Sequence, residues 1–121
     1  MHGHAEVIWF LINQGGAHVD VLDKEDQETP LKIAASRGHE AASRALLDLG
    51  ASVTTVDADG CSPLHGAALG GHVATTALLL ERGAQVNAVD HDGCTSLHAA
   101  VMEIPTTNLL SKAEGELIYI E

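Results

Sequence analysis

The chain has 121 residues, one domain at most, and its formal charge of −11 comes from 17 acids against 6 bases, so phosphate-directed binding of nucleic acid is disfavoured. The longest apolar run, Val7 to Ile12, is six residues with no basic segment before it, too short for a membrane span or a secretory signal. Hydrophobic residues make up 45% but aromatics only 2%, so the core is to be built from Ala, Leu and Val in thin layers.

In chain order, Gly3 to Ile12 reads as a helix with Phe10 on its core side and Trp9 on its outer face, where Trp9 either covers an end of the fold or anchors a partner. Gly15-Gly16 holds one extra residue. Asp23 to Glu28 forms a turn with another, and Gln27 stands where later turns have Gly. Thr29 is a hydroxyl N-cap for a helix opening at Pro30, where a missing N–H costs nothing. Ala34 and Ala35 favour helix and allow close neighbours, and Gly38 ends this short element. A second helix carries Ala45-Leu46-Leu47, Gly50 suits the left-handed residue after its end, and Val53 leads into an extended arm. The same order then recurs. A turn at Asp57-Ala58-Asp59-Gly60 precedes the Ser62 cap with Pro63, then Ala67-Ala68, Gly71, Leu78-Leu79-Leu80, Gly83 and Val86. A third turn, Asp90-His91-Asp92-Gly93, precedes Thr95. After Glu103 the pattern fails. Ile104-Pro105 replace a Gly-His pair, Pro105 suits the start of a divergent helix through about Ala113, and Leu117 to Ile120 resembles a short strand or loose tail.

The recurrence has a fixed length. Thr29-Pro30-Leu31-Lys32-Ile33-Ala34-Ala35 returns as Ser62-Pro63-Leu64-His65-Gly66-Ala67-Ala68 and as Thr95-Ser96-Leu97-His98-Ala99-Ala100-Val101, 33 residues apart each time. Such a period marks a solenoid in which each unit stacks on its neighbours and encloses no pocket. Gly3-His4, Gly38-His39 and Gly71-His72 recur in register, as do Gly50-Ala51 and Gly83-Ala84. The set resembles the ankyrin repeat, whose period and T-P-L-H-x-A signature it follows, best from Asp57 to Val89. The resemblance implies an all-α solenoid of helix–turn–helix units with short β-hairpin-like turn arms. Residues 1–103 form the array: a half repeat at 3–22, full repeats at 23–56 and 57–89, and the start of another at 90–103. Residues 104–121 form a divergent segment or tail. Lys32 departs from the signature His, and Ala42-Ser43 and Thr75-Thr76 replace larger aliphatics, so the second-helix layer is expected to be underpacked. Neither end carries a clear polar cap. We therefore expect a piece of a longer array or an incomplete gene product, and an isolated chain that is marginally stable or self-associates through its ends.

Residues able to do chemistry are given structural jobs by this reading. The resemblance has His4, His39, His72, His65 and His98 bonding nearby backbone or cap hydroxyls. Asp59, Cys61, His91 and Cys94 make a conceivable zinc cluster, but their spacing matches no zinc motif. Cys61 and Cys94 lie one repeat apart, roughly 10 Å by helix-packing distances and beyond the roughly 7 Å that a disulfide spans. Both are expected as free thiols, which favours the cytosol or nucleus. No phosphate-binding glycine motif and no nucleophile–base–orienter set is present, so no enzyme activity, cofactor or metal is expected.

What remains is a binding surface. Eight of the 17 acids fall in the three turns and form an acidic edge suited to steering a basic partner, although turn acids also cap and solubilise. In ankyrin-type modules partners dock on turn tips and on the concave face of the first helices. Carried over by repeat position, the turn candidates are Glu25, Asp26, Glu28, Ala58, Asp59, Cys61, His91, Asp92 and Cys94. The concave candidates are Ser36, Arg37, Leu69, Gly70, Met102 and Glu103. The implied function is a non-catalytic protein-interaction module or scaffold that favours a basic protein or peptide. The alternative is a targeting or autoregulatory segment of a larger enzyme, ligase adaptor or channel. Asn87, in Gln85-Val86-Asn87, also resembles the Asn that ankyrin proteins offer to an asparaginyl hydroxylase.

Overall fold

The computed structural model describes residues 2–102, which form six helices and no strand. These are α1 (His2–Asn13), α2 (Pro30–Ser36), α3 (Glu40–Asp48), α4 (Pro63–Leu69), α5 (Val73–Glu81) and α6 (Ser96–Met102). Helices α2, α4 and α6 stack side by side as an inner layer, while α1, α3 and α5 form an outer layer over them. The fold is the all-α solenoid read from the period. The segment 104–121, read as a divergent tail, lies outside the described residues.

Local chemistry starts and stops each helix. Thr29 Oγ1 accepts from the Lys32 amide at 3.2 Å, Ser62 Oγ from the His65 amide at 3.3 Å, and Thr95 Oγ1 from the His98 amide at 3.3 Å. His65 and His98 complete reciprocal caps, their Nδ1 atoms accepting from the Ser62 and Thr95 amides at 3.2 and 3.1 Å. At the outer helices' ends, the Ala51 and Ala84 amides return to the Leu46 and Leu79 carbonyls at 2.9 and 3.0 Å.

The core is a thin seam of Leu31, Ala34, Ala35, Leu46, Leu47, Leu64, Ala67, Leu78 and Leu79, with Ile8, Ile12 and Val53 packed against it. Small residues bring the inner helices close. A Cβ added at Gly66 of α4 would collide with Ser36 Oγ of α2, and one at Gly38 would lie 2.8 Å from the ring carbon Cγ of His72. In the outer layer Ser43 and Thr75 are fully buried, and Ser43 Oγ bonds the His39 carbonyl of its own helix at 2.8 Å. Surface clefts of about 280 and 350 Å³ lie beside Ala42 and Thr76, the first lined also by His4 and His39 and the second by His72 and Leu80.

Phe10 does not face the core as its sequence position suggested. It is 57% exposed, against 45% for Trp9, and the two rings meet edge to face at 5.2 Å. The stripe that packs inward is Ile8 and Ile12, an i,i+4 pair. Phe10 lies two residues from each, turned about 200° around the helix axis.

The turns follow one plan. Asp57 Oδ1 accepts from the Asp59 and Cys61 amides at 2.9 and 3.0 Å, and Asp90 Oδ1 accepts from the Asp92 and Cys94 amides at 2.9 Å each. In the longer first turn Asp23 Oδ1 takes the Asp26 and Glu28 amides at 3.0 and 3.2 Å, so the extra residue is absorbed without changing the closure. Each arm is hairpin-like but short: Asp57 N–H donates to the Cys61 carbonyl and Gly60 N–H to the Asp57 carbonyl, both at 3.0 Å, with no ladder beyond the turn among the described residues. Gln27 occupies the place of Gly60 and Gly93 and adopts their left-handed backbone, with φ of 58° against 81° for each glycine.

Hydrogen bonds across roughly one period join the units. The Ala58 amide donates to the Asp26 carbonyl at 3.1 Å and the His91 amide to the Asp59 carbonyl at 3.0 Å. His72 Nε2 bonds the Ser36 carbonyl at 3.0 Å, and His65 Nε2 bonds the Cys94 carbonyl at 2.9 Å. Because His65 Nδ1 accepts from a backbone amide, its Nε2 carries the proton and donates. Lys32 ties the same interface electrostatically, with Nζ 3.0 Å from Glu28 and 3.1 Å from Asp57. Burial alone would lower the Lys32 pKa, but hydrogen bonds and charge from Glu28 and Asp57 outweigh it and hold the ammonium above its ordinary value. Burial would likewise raise Asp57, yet the Cys61 amide and Lys32 hold its carboxyl below the usual range.

Two stability predictions follow from the turns. Gln27→Gly relieves the left-handed strain and should stabilise the fold by about 0.5–1 kcal/mol, read as a higher Tm; an unchanged or lower Tm contradicts it. Asp57→Asn keeps an oxygen for the turn amides but removes the charge facing Lys32, and should cost about 1–3 kcal/mol near pH 7. Because Asp57 titrates lower when folded, the wild type's advantage is present above the unfolded value of about 3.9 and fades as pH falls below it. Urea melts from about pH 7 down to about 3 check this; a difference independent of pH contradicts it.

Candidate partner-binding surface

The 33-residue period sets the candidate side chains in two rows. At the turn tips Glu25, Asp26, Ala58, Asp59, His91 and Asp92 are exposed. The His91 ring lies over Gly60, where a Cβ would sit 3.0 Å from the ring nitrogen Nε2 and 2.9 Å from the His91 backbone nitrogen. Glu28 is half-buried and holds Lys32, so its charge is largely spent within the chain. Cys61 and Cys94 are half-buried free thiols at the base of their turns. Along the inner layer Arg37 is exposed past the end of α2, and Leu69 and Met102 stand 43% and 60% exposed. Gly70 is exposed, whereas Ser36 Oγ is buried with no hydrogen-bond partner among the described residues, facing Gly66. Glu103 lies outside the described residues.

Five of these residues, Ser36, Cys61, Leu69, Gly70 and Met102, line one mainly apolar cleft of about 360 Å³ across α2, α4 and α6. Asp90, Lys32 and His65 also line it, and sequence reasoning did not place them there. The available signal was the period itself: Asp90 stands 33 residues after Asp57, and His65 33 after Lys32.

The field in the cleft is negative. Amide donation from Cys94, reinforced by Asp92, holds the Asp90 carboxyl below the usual range, so it is ionised. Burial, and then the carboxylates of Asp57 and Asp90, push the Cys61 thiol up to about 11. Among the described residues the Cys61 thiol has one hydrogen-bond partner, Asp90 Oδ2 at 3.9 Å, an acceptor that disfavours the thiolate. That is the reverse of what a nucleophilic cysteine requires. The conceivable zinc cluster of Asp59, Cys61, His91 and Cys94 does not assemble among the described residues. The group that comes within 4.8 Å is Asp23, Asp26 and Glu28, where Asp23 closes the turn and Glu28 pairs with Lys32. No described helix is long and apolar enough to cross a membrane.

Comparison with known proteins agrees with this architecture. A family model described as ankyrin repeats, in three copies, matches residues 1–57 and 49–116. A search of curated proteins returned no match. The family match covers nearly the whole chain, and the stacked turns and two helical layers are those its repeats require; the chain belongs to the ankyrin-repeat family, whose repeats are protein–protein interaction modules and typically non-catalytic.

Proposed function

We propose that this chain is an interaction module or scaffold that recruits a protein or peptide with a basic surface, using the turn tips and the concave face of α2, α4 and α6. The observation that carries the reading is the exposed acidic edge. Glu25, Asp26, Asp59 and Asp92 stand side by side on three stacked turns, with Lys24 the one base among them, while the apolar cleft opens beside that edge. Aligned charge of one sign raises the local concentration and on-rate of an oppositely charged partner. The reading includes self-association through the end helices, where Val7, Phe10 and Leu11 of α1 and Leu97 and Val101 of α6 are exposed. It places the protein in the cytosol or nucleus, where two half-buried thiols stay reduced.

The test reverses the four exposed turn acids that close no turn, Glu25, Asp26, Asp59 and Asp92, to Lys. Partners are first recovered by pull-down and mass spectrometry with the wild-type chain. For such a partner the reversal should slow association about tenfold or more at low salt and flatten its salt dependence. An unchanged on-rate at low salt contradicts the basic-partner reading.

A further inference from the structure

The chain contains its own example of a lysine held by this scaffold. Asp57 and Asp90 are equivalent, each opening a turn and each spending Oδ1 on two amides of that turn. Asp57 Oδ2 then receives Lys32 Nζ at 3.1 Å from the preceding inner helix, in a pair whose side chains are only 12% and 8% exposed. One period later the position of Lys32 is His65, whose Nε2 is engaged with the Cys94 carbonyl. Asp90 Oδ2 is therefore left, among the described residues, with the Cys61 thiol at 3.9 Å, a weak donor. Asp90 lines the cleft of about 360 Å³ together with the apolar side chains of Leu69 and Met102 and the small residues Gly66, Gly70 and Ala99.

We propose that this cleft receives a lysine side chain from a basic partner, its ammonium at Asp90 Oδ2 and its aliphatic stem along Leu69 and Met102, as Lys32 serves Asp57 one repeat earlier. The chemistry of the lining fits a long side chain with an apolar stem and a single cationic head. The elevated Cys61 thiol agrees in sign, because the carboxylates that oppose a thiolate there favour a cation. The proposal rests on the basic-partner reading but is narrower: it assigns discrimination to one carboxylate out of the row.

Two synthetic peptide pools test it, with random flanks around a fixed central lysine or a fixed central norleucine, which keeps the stem without the charge. Both are selected against the full chain. The lysine pool should be retained about tenfold over the norleucine pool. Asp90→Asn keeps the turn acceptor and should remove that preference, while Asp92→Asn, on the same edge, should leave it within about threefold. His65→Lys supplies the chain's own cation to Asp90 and should also abolish the preference, with helical circular dichroism confirming the fold. No lysine preference in the wild type overturns both this proposal and the basic-partner reading. A preference that Asp90→Asn and Asp92→Asn reduce equally belongs to the diffuse acidic edge; it overturns the cleft and leaves the broader reading standing. A preference that survives Asp90→Asn or a folded His65→Lys overturns the cleft as well.

Discussion

Everything on the binding face depends on hydrogen bonds that one unit makes to the next across about one period. An inner helix of seven residues is far too short to be stable by itself, and the seam of Ala and Leu beneath it is thin. Apolar packing of that kind attracts neighbouring helices but leaves their register loosely specified, since Ala presents little shape. Directional bonds supply the register: His72 to the Ser36 carbonyl, His65 to the Cys94 carbonyl, Lys32 to Asp57, and the turn amides of Ala58 and His91 to the carbonyls of Asp26 and Asp59.

The same bonds shape the surface. A turn closed by one Asp leaves its other acids free of that job, so Glu25, Asp26, Asp59 and Asp92 are exposed acids that close no turn while Asp23, Asp57 and Asp90 hold the loop. Asp90 holds its loop with one oxygen, and among the described residues its second oxygen has only the Cys61 thiol as a donor. Gly66 permits close approach of α2 and α4, where a Cβ would collide with Ser36, and it lines the same cleft as Leu69 and Met102. One arrangement therefore sets both stability and the shape of the candidate surface, and the first repeat shows its tolerance: an added residue and a left-handed Gln27 still close the turn on Asp23.

Much of this was legible in the sequence because it is local. Hydroxyl caps three residues before their amides, Pro at the first helical position and the strict period of Ser62, Pro63 and Leu64 with their counterparts needed no long-range information. What stayed hidden depends on partners far along the chain. Lys32 reads as a departure from the signature until Asp57, 25 residues on, is seen beside it. Glu28 reads as a free turn acid until the same lysine claims it. Phe10 looked like core because it is apolar, whereas the i,i+4 pair of Ile8 and Ile12 decides which side of α1 faces inward. Asp90 was counted only as a charge, because its significance lies in what the preceding helix fails to supply.

Native-state hydrogen exchange at the Ala58 and His91 amides tests the central claim most directly. These are the turn donors whose only described acceptors lie in the preceding unit, at 3.1 and 3.0 Å. If bonds across the period fix the stack, both amides open only with the cooperative unit and exchange as slowly as the amide of Gly70, which bonds within α4. Exchange of Ala58 and His91 at free-peptide rates while α4 stays protected would contradict the account.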